Sequence, residues 1–212
     1  MLSSTGVSLL GFYDGPDPGK TLSAFDGLKT FTDGWGQMSF GDLVRSSPAN
    51  ATANQRGLFH TVSLQSYSEP LLQQIANQSN YYGTRPFKSG SFISYDVEPF
   101  LENYGKVANS NGGSAWPHAS SPLPLNLYFA WTNPLDDDYY KSAVLATADL
   151  LTKQAKAEGQ DLSSYTLYPN YAVTGTTAKQ LYGSKNAATL RAAKAKYDPD
   201  NVMALTTFFS FE

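Results

Sequence analysis

The fold of this chain is built around Leu125-Asn126-Leu127-Tyr128-Phe129-Ala130-Trp131, which Asn133-Pro134-Leu135-Asp136-Asp137-Asp138 follows almost directly. The first stretch is apolar enough to form a central strand. The second begins the longest helix, because its acidic side chains stand at the positive end of the helix dipole. Apolar residues then recur at helical spacing and predict a buried stripe made of Tyr140, Val144, Ala148, Leu151 and Ala155. We therefore expect a sheet with at least one helix packed on it.

The residues before this segment predict two further strands with a helix between them. Residues 57–64 and 90–95 have the apolar and alternating patterns of strands. Ser68 stands before Pro70 in the arrangement of a helix N-cap, and that helix is expected to run to about Gly83.

Weaker patterns complete the prediction. They indicate a strand at 7–13, a helix starting near Leu22, polar loops at 44–56 and 112–124, a short helix at 97–107, a strand at 165–172 and a helix at about 187–197. The connections are too polar and too varied for repeated βαβ units. The sequence thus predicts an α+β fold with an antiparallel or mixed sheet and helices packed mainly on one face, in a single domain spanning 1–212.

Composition excludes several classes of function. The chain has 212 residues, 41% of them hydrophobic, and a net charge of −3 with no cluster of basic residues. We therefore expect neither nucleic acid nor an anionic membrane surface as a partner. Without cysteine there are no disulfides and no thiolate metal sites. No stretch is long enough to cross a bilayer, and the first residues lack the basic start of a signal peptide, so a cytoplasmic location is expected if Met1 is the natural start.

The side chains that could carry chemistry are few. His60 alternates with Phe59 and Thr61 along a predicted strand, where it either faces a cavity or serves as a hydrogen-bonded wall residue. His118 lies on a predicted loop. Glu98 and Glu102 are one helical turn apart, a spacing that is typical of a solvated like-charged pair. Metal-ligand spacing, a nucleophile elbow and a phosphate-binding glycine loop are all absent from the sequence.

Tyrosine is the most prominent functional residue type. Of the 14 tyrosines, four lie around one stretch near the C-terminus, namely Tyr165, Tyr168, Tyr171 and Tyr182. A phenol can donate a hydrogen bond to a carbonyl, and its ring can lie flat against an unsaturated ligand. Equally, strand tyrosines are often amphipathic core residues with a wet hydroxyl.

Three linked motifs resemble the closing signature of berberine-bridge-like FAD oxidases. They are Tyr168-Pro169-Asn170-Tyr171-Ala172, Leu181-Tyr182-Gly183-Ser184-Lys185-Asn186, and Leu190-Arg191-Ala192-Ala193-Lys194-Ala195-Lys196-Tyr197-Asp198-Pro199-Asp200-Asn201-Val202. Upstream, the stretch from Trp131 to Asp137 is similar to fungal members of the family. The resemblance implies the substrate-binding half of such an oxidase, with the family's C-terminal segment at about 162–212. It also implies that Tyr168, Asn170 and Tyr171 lie where the substrate meets the flavin ring.

The flavin-binding half of that family, with its glycine-containing pyrophosphate loop, does not precede Val7, so we expect no cofactor in this chain. The first hypothesis is a flavin-free cyclase, cycloaddition catalyst or isomerase acting on a small hydrophobic unsaturated metabolite. The second is an incomplete FAD-dependent oxidoreductase that needs a separate flavin domain. The third is a non-catalytic binding or scaffold protein. The apolar surface left by the missing half predicts a homo-oligomer. The candidate catalytic residues are Tyr168, Tyr171 and His60, and the candidate substrate contacts are Asn170, Tyr165, Tyr182 and Trp131.

Overall fold

A computed structural model describes residues 6–31, 36–46, 52–117 and 123–205. The chain divides into two compact units, Leu2–Ala53 and Asn54–Glu212. The described part of the first unit contains a 3-10 turn at Ser23–Phe25 and the helix α1, Phe40–Ser46. All of the strands described below belong to the second unit.

The second unit contains a three-stranded antiparallel sheet. Its strands are β1 (Arg56–Leu64), β2 (Gly90–Val97) and β3 (Leu123–Trp131), in the order β1-β3-β2. In the register, Phe59 pairs with Tyr128, and Thr61 pairs with Asn126. The strand predicted from the apolar segment is therefore the central one, and the α+β fold class is confirmed.

Two helices cover one face of this sheet. They are α2 (Glu69–Gly83) and α4 (Asp137–Ala157), and every residue of the predicted α4 stripe is buried. Leu125, Leu127 and Phe129 of β3 point into the same core and are 0% exposed. The N-cap prediction for α2 is also confirmed, because the Ser68 hydroxyl accepts a hydrogen bond from the backbone N–H of Leu71 at 3.1 Å.

The remaining helical elements lie outside the pair of helices that covers the sheet. They are α3 (Glu102–Ser110), α5 (Ala178–Tyr197) and 3-10 turns at Pro134–Asp136 and Val202–Leu205. In α5 the regular helix is interrupted at Gly183, which has φ 71° and ψ 164°, a conformation that L side chains rarely adopt. Among the described residues, none of the helices combines the length and apolarity that a membrane crossing requires.

Two predicted strands are wrong. Residues 7–13 have no regular structure, and Val7 and Leu10 are exposed, so their apolar pattern does not form a strand. Residues 165–172 are irregular, with a turn at 169–171, instead of a strand. The backbone N–H of Tyr171 bonds the carbonyl of Tyr168 at 3.2 Å, and Pro169 has no N–H to give to a ladder.

Several element boundaries also differ. The predicted helix near Leu22 is only the 3-10 turn Ser23–Phe25, and α1 overlaps the predicted loop at 44–56. Helix α3 begins at Glu102, because the preceding residues extend β2 to Val97. Glu98 therefore lies before α3, and it does not share a helix with Glu102. His118 and residues 47–51 lie outside the described part of the chain.

Candidate functional site

The second face of the sheet is covered by an irregular stretch, Tyr165–Val173, called here the covering segment. The Ser63 hydroxyl of β1 donates to the carbonyl of Thr166 at 2.7 Å. Farther along, the backbone N–H of Val173 donates to Nδ1 of His60 at 3.3 Å. These contacts place the tyrosine motif beside β1, although the motif is not itself a strand.

Aromatic rings form a shelf on this face. Phe59 of β1 stacks on Tyr128 of β3 with ring centroids 4.3 Å apart and an interplanar angle of 12°. Phe92 of β2 lies on the other side of Tyr128 at 5.7 Å, and Tyr171 of the covering segment lies 6.1 Å from Phe59. Phe59 and Phe92 remain 42% and 41% exposed, so the shelf offers open aromatic surface to a flat ligand.

A second group of rings supports the covering segment. Tyr168 contacts Trp116 at 4.9 Å, Phe100 at 6.1 Å and Tyr171 at 5.2 Å between ring centroids. The buried indole of Trp116 donates to the carbonyl of Leu167 at 3.1 Å. Tyr168 is thereby fixed between its neighbours, and it in turn positions the ring of Tyr171.

Tyr171 and Glu98 form a hydrogen-bonded acid–phenol pair at the edge of the shelf. The Tyr171 hydroxyl donates to Oε1 of Glu98 at 2.7 Å. Partial burial raises the pKa of Glu98 above its ordinary value, an effect that the Tyr171 hydrogen bond opposes and the nearby Asp96 charge reinforces. Burial, together with the neighbouring carboxylate, raises the pKa of Tyr171, so its phenol stays protonated at neutral pH. Glu98 is consequently a stronger base than a solvated glutamate.

A row of polar side chains crosses all three strands next to this pair. It consists of Thr61 on β1, Asn126 on β3 and Asp96 on β2, and this set is called here the polar row. The Asn126 amide donates to Oδ2 of Asp96 at 2.8 Å, and the Ser94 hydroxyl donates to Oδ1. Thr61 and Asn126 are only 1% and 4% exposed.

Three of the residues predicted for the site come together here. Tyr168 and Tyr171 are in ring contact, and the Asn170 amide donates to the Tyr168 hydroxyl at 2.8 Å. Tyr165 is half-buried at the start of the covering segment. Tyr182 is half-buried in α5, where burial raises the pKa of its phenol.

The other two predicted residues, His60 and Trp131, lie outside this cluster of tyrosines. His60 is 7% exposed, burial lowers its pKa, and its Nδ1 accepts the Val173 N–H, so the neutral imidazole carries its proton on Nε2. Burial and this hydrogen bond are the features of a wall residue, and a catalytic role for His60 stays a prediction. Trp131 is 4% exposed, stacks on Tyr140 at 5.1 Å and donates to Asp137 at 2.7 Å, within the helix-covered core.

Sequence reasoning missed the partners on the strands. Tyr128 and Asp96 are central to the site, yet neither belongs to a recognisable motif. Glu98, which lies just after β2, was interpreted only as half of a solvated pair with Glu102. Asp96 follows Ser94 and Phe92 at every second position, which puts the three on one face of β2. That alternation was a usable signal, but only a known strand register brings it next to Tyr171.

Comparison with known proteins gives a relative of known class. FAD-linked oxidoreductase fogF of Aspergillus ruber (strain CBS 135680) is 26% identical over 148 residues, which are 69% of this chain and 29% of that protein. The chain is a homologue of part of an FAD-linked oxidoreductase. The resemblance to FAD-linked oxidases inferred from the sequence is confirmed. The chain spans less than a third of this relative's length.

Two further comparisons complete this result. The solved structure of a chitooligosaccharide oxidase aligns with a TM-score of 0.46 and 19% identity, covering 70% of this chain and 31% of that one. No family model matches the chain.

The site of this FAD-oxidoreductase homologue fits only one end of FAD. Its partly exposed aromatic rings suit an apolar ring system such as isoalloxazine or an unsaturated substrate. The charged side chains at its edge, Asp96 and Glu98, are both acidic, and they would repel the diphosphate of the cofactor. The described residues therefore fit the substrate and ring end of a flavin site, but not its diphosphate end.

Proposed function

We propose that this chain is the substrate-binding part of an FAD-dependent oxidoreductase that acts on a small, flat, unsaturated alcohol or phenol. The observation that carries the proposal is the hydrogen bond from Tyr171 to the half-buried Glu98 beside an exposed aromatic shelf. Homology to part of FAD-linked oxidoreductase fogF supports the reaction class. The flavin-binding residues are proposed to come from outside this chain.

The shelf binds and orients the substrate. A flat ligand lies against Phe59 and Phe92, which flank Tyr128, and this burial removes apolar surface from water. Tyr171 marks the end of the shelf at which the reacting hydroxyl is placed. Positioning of this kind lowers the barrier, because the reacting groups meet without further ordering.

Tyr171 and Glu98 accept the proton of the substrate hydroxyl. The substrate O–H donates to the Tyr171 oxygen while the Tyr171 proton passes along the existing hydrogen bond to Glu98. Tyr171 is neutral before and after this transfer, and Glu98 ends as the carboxylic acid. Hydride acceptance is the chemistry that a bound flavin supplies, and no side chain of this chain can replace it.

The same hydrogen bond bears on the alternative of a cofactor-free cyclase. In that reaction the tyrosine hydroxyl must donate to a substrate carbonyl. The Tyr171 proton is instead directed at Glu98, which favours a base over a carbonyl-polarising donor. The oxidoreductase is therefore the better-supported function, and the cyclase is an outcome that the experiment can reveal.

The test is co-expression of this chain with the part of fogF that it does not match, followed by purification through a tag on this chain. The visible spectrum is recorded first, and cinnamyl alcohol is then added without oxygen. We expect a co-purified flavin band that bleaches with the alcohol. The control Tyr171→Phe should keep the band and slow the bleaching about 100-fold, because it loses the proton path.

Other results would separate the alternatives. A complex that keeps flavin but bleaches equally fast with Tyr171→Phe would remove Tyr171 from the reaction. A colourless preparation that also stays colourless after incubation with excess FAD and gel filtration would count against the oxidoreductase. In that case a binding protein or a cofactor-free catalyst becomes the better interpretation.

A further inference from the structure

The polar row contains buried oxygens that have no hydrogen-bond partner. Within the described part of the chain, the Thr61 hydroxyl and the Asn126 amide oxygen of the row are unpartnered and inaccessible to water, as are the Thr166 hydroxyl of the covering segment and, in the helix-covered core, the hydroxyls of Tyr95 and Tyr140. Such groups are uncommon in folded proteins, because each gives up its hydrogen bonds with water on burial and regains none. The two oxygens of the row differ from the others because they belong to residues that pair directly across β1 and β3, so one ligand could serve both.

The positions of these oxygens show where a partner would bind. Thr61 lies between Phe59 and Ser63 on one face of β1, and the covering segment contacts both of those neighbours. The covering segment therefore passes over Thr61. Asn126 faces Thr61 across the strand pair. The Thr61 and Asn126 oxygens thus lie beneath the covering segment, beside the Phe59–Tyr128 pair of the aromatic shelf.

The chemistry of the row selects the ligand. The Asn126 amide already donates to Asp96, so its oxygen needs a donor. The Thr61 hydroxyl can donate or accept. A carboxylate or phosphate is disfavoured here, because Asp96 and Glu98 already place negative charge beside the row. A neutral hydroxyl group, which both donates and accepts, satisfies these requirements.

We propose that the polar row is a subsite for a second hydroxyl group of the substrate, which binds when the covering segment moves away from Thr61. This inference rests on the proposed function, since it places the rest of the ligand on the aromatic shelf. The substrate class becomes a flat unsaturated molecule with two hydroxyls, one at Tyr171 and one at Thr61 and Asn126. Phe59, against which the Tyr171 ring lies, and Thr61 are same-face positions of β1 about 7 Å apart, so a two-ring molecule on the Phe59 end of the shelf is long enough to reach Thr61.

The experiment compares two probes on the whole chain, 2-naphthol and 2,7-dihydroxynaphthalene, which differ by one hydroxyl. Dissociation constants are measured from probe fluorescence for the natural sequence and for Thr61→Val. Valine keeps the shape of threonine and removes its hydroxyl. We expect the diol to bind about 5-fold more tightly than 2-naphthol, as one additional hydrogen bond gives. In Thr61→Val that preference should disappear, while 2-naphthol binds as before.

Thr61→Ser is the matched control, because it restores the hydroxyl and should restore the preference for the diol. It also keeps the test valid if Thr61→Val does not fold. Equal binding of both probes to the natural sequence would overturn the subsite while leaving the shelf and the proposed function intact. Failure of both probes to bind would overturn the shelf, and the subsite with it. A diol preference that persists in Thr61→Val would also overturn the assignment.

Discussion

On the face of the sheet that α2 and α4 cover, Leu125, Leu127 and Phe129 are fully buried, whereas on the opposite face Phe59 and Phe92 keep about two fifths of their surface exposed, at 42% and 41%. The first face is closed by regular helices. The second is closed only in part, by an irregular segment with buried oxygens that lack partners. The contrast indicates that apolar burial on one face stabilises the unit, which allows the other face to keep partly exposed rings for a ligand.

The largest effect should come from the helix-covered face. Leu127→Ala removes a fully buried side chain and is expected to lower the free energy of unfolding by about 3 kcal/mol. Phe59→Ala, on the partly exposed face, should lower it by only about 1 kcal/mol. Urea denaturation of both variants measures the difference. Equal losses would show that the two faces contribute alike to stability.

A charged contact beside the helix-covered face gives a pH-dependent effect. Asp136 accepts hydrogen bonds from Lys88 at 2.8 Å and from the backbone and hydroxyl of Ser89, and these hold its pKa at about 2. A carboxyl whose pKa is lower in the folded state stabilises the fold above its unfolded pKa of about 3.9, and that contribution is lost as pH falls. Asp136→Asn should melt below the natural sequence at pH 7, and the gap should close as the pH falls from about 4 to 2. Thermal melts across that range provide the test.

On the face that carries the site, stability should change with pH in the opposite direction. Burial raises the pKa of Glu98, so folding favours the protonated acid, and stability falls as pH rises through the folded pKa. Glu98→Gln cannot ionise. The melting temperature of this variant, relative to that of the natural sequence, should therefore rise as the pH is increased from acidic to alkaline. The Tyr171 hydroxyl can still donate to the glutamine oxygen. A gap that stays constant with pH would argue against a raised Glu98 pKa.

The smallest effect concerns the polar row in the absence of ligand. Thr61→Val replaces a buried hydroxyl without a partner by a methyl group of similar shape. We expect the melting temperature to rise by about 2 °C. Calorimetry on the ligand-free chain can detect a shift of this size. A fall in melting temperature would mean that the hydroxyl already has a partner in solution, and the contrast between the two faces would then be weaker.

How far the sequence predicts the molecule differs between the same two faces. The helix-covered face follows from local patterns, since the α4 stripe and the Ser68 cap depend on spacing along a single element. Their predictions are confirmed, as is the central position of β3.

The site face depends on contacts between distant residues, which spacing does not encode. Tyr171 was identified from its motif, but its partner Glu98 is 73 positions away, and it was assigned to a helix with Glu102. The pattern of residues 165–172 predicted a strand, yet Pro169 has no N–H for a ladder and the Tyr171 N–H bonds the Tyr168 carbonyl in a local turn. Motif and alternation therefore indicated which residues matter, and the sheet register determined which of them meet.

The order of strands in the sheet has a consequence for how the chain folds during synthesis. The central strand β3 is the last of the three in sequence, and it pairs with both edges, as at Arg56 with Trp131. While a ribosome is still making the residues before β3, neither β1 nor β2 has its partner. Until β3 is made, the apolar residues of β1 and β2 are exposed and can aggregate with other nascent chains. Ribosome-bound chains halted before Leu123 should therefore be more sensitive to protease and more prone to aggregate than chains halted after α4.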